Sequence, residues 1–248
     1  MPDAVGYRMK FGVIVPSTNT VVEADYNRMA PHGVTIHAGR MYVDQPAMDS
    51  DAAFEAILAE TRASIGVAIR DVLTCKPDYL VMGMSSETFW GGVAGNAAFI
   101  ERVRAQSGLD VSTGASACRA ALERLGVRRI AVLSPYPPIA DGKVTGFFEE
   151  AGYTVVRFVG LRCPTATSIA EVGEAPLRKI LADELDGPDV EAIVQVGTNL
   201  SMVRLADEAE RWLGKPVLAI NAVTLWHALR ANGIADQRHD FGSLLREH

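Results

Sequence analysis

The chain has 248 residues, 48% of them hydrophobic and 22% charged, with a formal net charge of −6. That length buries an ample core without metal or disulfide staples, and the composition excludes a disordered chain. An acidic chain with no Lys/Arg cluster disfavours nucleic acid as a partner, and no apolar run approaches the ~20 residues of a membrane span. The first residues lack the apolar stretch and cleavage site of a secretory leader. Cys75, Cys118 and Cys163 are odd in number and widely spaced, which argues against a disulfide framework or a zinc cage. The expected setting is the cytoplasm.

Short apolar runs alternate with longer helical patterns along the whole chain. FGVIV (11–15) closes on Pro16 and reads as a strand buried on both faces. A helix is expected over 18–29, a strand over 34–43 and a long helix over 51–73 with Ser50 as its N-cap. A strand at 78–84 and a helix at 91–106 follow. The rhythm then repeats: helix 116–125, strand 129–134, helix 139–151, strand 153–161, helix 176–185, strand 191–197, helix 201–213, strand 216–220 and helix 222–231. Strands separated by helices of this length give an α/β fold of parallel sheets with right-handed crossovers. DYLVMGMSS (78–86) and EAIVQVGTN (191–199) share an acidic residue, an apolar strand and a small or hydroxyl-bearing turn. This echo suggests two lobes, one from 1–112 with 222–248 returning to it, the other from 113–221.

Three turns follow buried strands, where parallel α/β sheets place their ligands. Ser17, Thr18 and Asn19 lie after the first strand, before a helix N-terminus that suits an anion or a simple cap. Ser85, Ser86 and Thr88 put hydroxyls after DYLVMG, and Thr198 and Asn199 follow AIVQVG. Tyr136 closes a fourth strand and offers either a phenol to an oxyanion or a ring to the core. No histidine pair has metal-ligand spacing, and no glycine-rich nucleotide loop occurs, so neither metal nor cofactor is expected. His37 and Arg40 alternate on the second strand, where Arg40 could clamp a carboxylate or form a surface ion pair.

GVIVPSTNT, GMSSETFWGG, GVRRIAVLSPY, VGTNL, LGKPVLAINAVTLWHALRANGI and DFGSLL, in that order, resemble the aspartate/glutamate racemase superfamily. The resemblance is closest to its maleate cis-trans isomerase and arylmalonate decarboxylase branch. It implies two pseudo-symmetric α/β lobes, each a parallel sheet flanked by helices, with the active site between them. It also implies carboxylate binding by Asn19, Ser85, Ser86, Thr198 and Asn199, a tyrosine donor at Tyr136, and is compatible with a homo-oligomer. The family's two cysteines fall at positions that here read Met84 and Gly197. Neither residue transfers a proton or adds to a double bond.

The expected function is therefore a cofactor-independent enzyme acting on a small mono- or dicarboxylate. Fixed donors, with Ser17 assisting, would stabilise an enediolate-like oxyanion. Lyase or hydrolase chemistry is favoured over isomerisation, which needs the missing nucleophile. Glu87, two residues beyond Ser85, is the expected proton source if desolvation raises its pKa, and Cys163 could reach the cleft as a displaced thiol. Two alternatives stay open: an inactive carboxylate-binding protein that retains the cleft, and a hydrolase with Ser85 or Ser86 as nucleophile and His37 as its base.

Overall fold

The computed structural model describes residues 3–44 and 47–248. Two four-stranded parallel sheets lie between helices. The first contains β1 (Met9–Pro16), β2 (Val34–Met41), β3 (Tyr79–Met82) and β4 (Val111–Ser112), in the order β2-β1-β3-β4. The second contains β5 (Arg129–Ser134), β6 (Thr154–Gly160), β7 (Ala192–Gln195) and β8 (Val217–Ala219), in the order β6-β5-β7-β8. These are one topology used twice. In both, the chain reverses direction across the sheet beside the first strand, so β1/β3 and β5/β7 are the switch points where ligands bind in open α/β sheets.

The ladders fix which residues correspond. Gly83 N–H donates to the Ile14 carbonyl at 2.7 Å, and Val196 N–H donates to the Leu133 carbonyl at 3.0 Å. One residue further on, Met84 and Gly197 hold equivalent places in the two lobes. By the same register Pro16-Ser17 corresponds to Pro135-Tyr136, and Ser85-Ser86 to Thr198-Asn199.

The helices are α1 (Val22–Met29), α2 (Asp51–Leu73), α3 (Ser86–Phe89), α4 (Gly92–Ser107), α5 (Gly114–Leu125), α6 (Pro138–Glu150), α7 (Glu174–Ile180), α8 (Val203–Leu213), α9 (Ile220–Ala231) and α10 (Ser243–Glu247). α1 begins four residues later than the sequence pattern suggests, because Asn19 Oδ1 accepts from the Val21 and Val22 N–H groups, both at 3.0 Å, and starts the helix there. The turn after β3 also forms its own short helix, α3, before α4. Gly91 and Gly92 separate the two with φ values of +78° and +66°, a backbone that a side chain would strain. Glu150 of α6 then caps α4 by accepting from Val93 N–H at 2.9 Å, which ties the second lobe to the first.

α9 packs on α1, β3 and β4 of the first lobe, and Arg238 donates to the Met29 carbonyl at 3.0 Å. α10 packs on α9, and its first residues are tied to α8, where Gly242 N–H donates to Asp207 and Ser243 to Glu210. Among the described residues, no helix is long and apolar enough to cross a membrane.

Candidate active site between the two sheets

The four switch-point turns face one another across the lobes and bond directly. Asn19 spends its oxygen on the cap of α1 and donates from Nδ2 to Thr198 Oγ1 at 3.3 Å. Asn199 Oδ1 accepts from Thr20 N–H at 3.0 Å, while its Nδ2 donates to the Ala166 carbonyl at 2.9 Å. Each asparagine therefore clamps its turn to the other lobe, Asn19 also fixing its own turn and Asn199 holding the Ala166 loop. Thr198 is anchored from behind by Asn221, whose Nδ2 donates to its carbonyl at 3.0 Å.

Deeper in, the Ser85 and Tyr136 hydroxyls meet at 2.8 Å. Ser85 Oγ also donates to the Val196 carbonyl, and the phenol lies 3.3 Å from the same oxygen. Tyr136 N–H donates to Ser134 Oγ at 3.1 Å, and Phe54 from α2 covers its ring at 5.6 Å between centroids. Burial pushes the phenol up to about 12. Ionisation there would place a charge in a poorly solvated site, so the phenol stays a neutral donor at ordinary pH.

A cavity of about 50 Å³ lies over this pair. Its polar walls are Thr18, Asn19, Ser86, Tyr136, Thr198 and Asn199. Met48, Phe54 and Ile57 form an apolar roof together with Ile169. Met48 is held across the lobes by its N–H donating to the Pro164 carbonyl at 2.7 Å. Ser85 is fully buried one layer beneath the cavity and reaches it through Tyr136. Tyr136 is the one titratable side chain in the cavity wall among the described residues.

Several expected site residues lie elsewhere. Glu87 points to the far side of its turn, into a separate cavity between α2 and α4. There Arg62 Nε holds both carboxylate oxygens, at 2.9 and 3.0 Å, so Glu87 is an ion-pair partner away from the cleft. The turn coils into α3, and consecutive helical side chains diverge, so Ser86 faces the cleft while Glu87 faces away. Ser17 is exposed, and its Oγ accepts from Val43 N–H at 3.0 Å instead of lining the cavity. Cys163 is buried, its thiol pushed up by desolvation, and it is not in the cavity wall.

His37 bonds Thr35 at 2.9 Å, and among the described residues no histidine bonds Ser85 or Ser86. Arg40 pairs with Glu23 and donates to the Ser17 and Asn19 carbonyls, bracing the turn from outside. Met84 lines both cavities. At Gly197 there is no room for a side chain, because a Cβ would overlap the Pro135 ring. Among the described residues, no group of three His, Cys, Asp or Glu side chains could hold a metal.

The sequence pattern does not point to the roof or to Asp141. The roof comes from a loop and helix whose docking across the cleft is a tertiary event; the Ser50 cap signals only where α2 begins. Asp141, on α6 behind Ser134, has its carboxyl raised to about 6 by burial, partly offset by a hydrogen bond to Ser134.

Residues 11–245 match the family described as arylmalonate decarboxylase. Arylmalonate decarboxylase of Bordetella bronchiseptica is 28% identical over 240 residues, covering 95% of this chain and 96% of that one. A maleate isomerase of Pseudomonas putida is 27% identical over 237 residues, covering 90% and 91%. Among solved structures, a Pseudomonas putida maleate isomerase variant with maleate superimposes with a TM-score of 0.87 at 22% identity, covering 96% of this chain and 97% of that one.

Proposed function

The chain belongs to the arylmalonate decarboxylase family, and from that premise we propose that it is a cofactor-independent lyase that decarboxylates a small malonate-type dicarboxylate in the cleft between the sheets. The observation that carries this reading is the Tyr136 phenol, buried in the cavity wall and bonded to Ser85 at 2.8 Å. In the reaction, the bond from Cα to one carboxylate breaks and carbon dioxide leaves. The electron pair moves onto the remaining carboxylate as an enediolate, whose growing charge meets fixed neutral donors: the Ser86 hydroxyl and the Asn19 amide. Donors aimed where charge develops supply a large share of catalysis in such sites. A proton must then reach Cα. Tyr136 supplies it, because it is the acidic group at hand and its raised pKa keeps the proton in place until a strongly basic carbon forms. Water restores the phenol.

Decarboxylation is preferred to isomerisation because no thiol lines the cleft among the described residues, and Met84 and Gly197 stand at the equivalent strand-end places. One relative, a Nocardia farcinica maleate cis-trans isomerase, is described with a covalently bound succinylcysteine intermediate. That chemistry needs a sulfur nucleophile.

A second reading is a carboxylate-binding protein without turnover. The small cavity favours it, as does the use of the Ser85 hydroxyl on the Val196 carbonyl. The two readings separate when the protein is incubated with phenylmalonate, methylmalonate and maleate and the products are followed by NMR. Release of carbon dioxide and a monocarboxylate supports the lyase. Saturable binding with no product supports the second reading, and fumarate from maleate overturns the preference against isomerisation.

A further inference from the structure

A second cavity lies on the far side of α3, beside the turn after β3. It holds about 500 Å³, within the range of small-molecule sites, against about 50 Å³ in the cleft. Its walls are apolar: Met41, Ile65, Met84, Trp90 and Phe99. Three charged groups also line it. The Glu87 side chain is 8% exposed, while Arg62 and Arg102 at the mouth are 45% and 56% exposed. Two guanidiniums against one carboxylate leave one positive charge unmatched.

The two arginines are not equivalent. Arg62 is committed to Glu87 through Nε and through a further contact at 2.9 Å. Arg102 approaches Glu87 only to 3.8 Å, and its guanidinium lies 5.2 Å over the Phe99 ring. A guanidinium stacked on an aromatic wall still presents its N–H edge for a bidentate carboxylate. An apolar body seated against Phe99 and Ile65 would bring its acid group to that edge.

We propose that this cavity is a second small-molecule site that takes a monocarboxylate with an apolar body, its carboxylate on Arg102 and its body against Phe99 and Ile65. Net charge excludes a cationic ligand, and the apolar walls disfavour a fully hydrated ion such as phosphate. The site is separate from the cleft and shares only Met84 with it.

The test uses binding alone, so its failure is distinct from failure of the lyase reading. The protein has three tryptophans, of which Trp90 lines the cavity, and Trp90→Phe identifies its indole N–H signal in ¹⁵N-labelled protein. Titration with phenylacetate is expected to shift that signal saturably. Arg102→Ala should weaken binding at least tenfold, and neutral phenylacetamide should bind at least tenfold more weakly than phenylacetate. Ala98→Trp, at an exposed position of the cavity rim, should abolish the shift by filling the space. The proposal is overturned if the Trp90 signal stays still, if phenylacetamide binds equally well, or if Ala98→Trp leaves binding intact, which would place phenylacetate in the cleft.

Discussion

The two lobes share one strand order and one strand-end device, yet they bring different chemistry to the cleft. In the first, the turn after β1 places Ser17 in solvent, where it braces Val43, and the turn after β3 sends Ser85 and Ser86 inward. In the second, the equivalent turn after β5 buries Tyr136, and the turn after β7 offers the Val196 carbonyl and the asparagine clamp. Pseudo-symmetry fixes where the side chains stand, while the residue chosen at each place decides whether it donates, accepts or braces. The sharpest contrast is Met84 against Gly197. The first has space on both sides, and the second lies under Pro135 with none.

The largest effect expected of a change that breaks this contrast comes from Gly197→Cys. Placing a thiol against the Pro135 ring should cost about 2–3 kcal/mol by overpacking, whereas Met84→Cys should cost about 1–2 kcal/mol through lost apolar contact; urea unfolding of the two variants measures the difference. Equal costs would remove the steric asymmetry. Next, Ser85→Ala should lower kcat/KM about tenfold by freeing the phenol it positions. Combined with Tyr136→Phe, it should add almost nothing, since the two act as one unit. Steady-state rates of the single and double variants check this.

Asn199→Ala leaves Thr20 N–H without its partner between the lobes and should lower stability by about 1 kcal/mol, read as a shift in the denaturant midpoint. The smallest effect is tied to pH. Asp141 has a folded pKa raised to about 6 from 3.8, so between those values the folded state holds more protons than the unfolded one, and stability falls as pH rises. Asp141→Asn should therefore raise Tm at pH 8 and lose most of that advantage at pH 4, the gain held to about 1 kcal/mol by solvent screening at a half-buried site.

Most of the fold is legible in the chain because buried parallel strands advertise themselves as apolar runs: FGVIV, YLVM and AIVQ each fall where β1, β3 and β7 form. The two-residue β4 escapes notice, since Val111–Ser112 is too short to show a period and is a strand only by pairing with Leu80 and Val81. The site is legible in outline, because hydroxyls and amides after strand ends form a local pattern. What stays hidden is direction. Whether Glu87 or Ser86 faces the cleft depends on a four-residue helix, and Cys163 and Ser17 differ from true wall residues only in tertiary placement. The roof of Met48, Phe54 and Ile57 reads in sequence as ordinary helix and loop hydrophobics.

Phenylmalonate turnover in D₂O by wild type and Tyr136→Phe decides whether the Tyr136 phenol is the proton source. Wild type should yield phenylacetate carrying one deuterium at Cα, with the rate of Tyr136→Phe lower by about 10²- to 10³-fold and phenylmalonate binding within a few-fold of wild type. A Tyr136→Phe rate equal to wild type, with the same deuterium incorporation, would contradict that role.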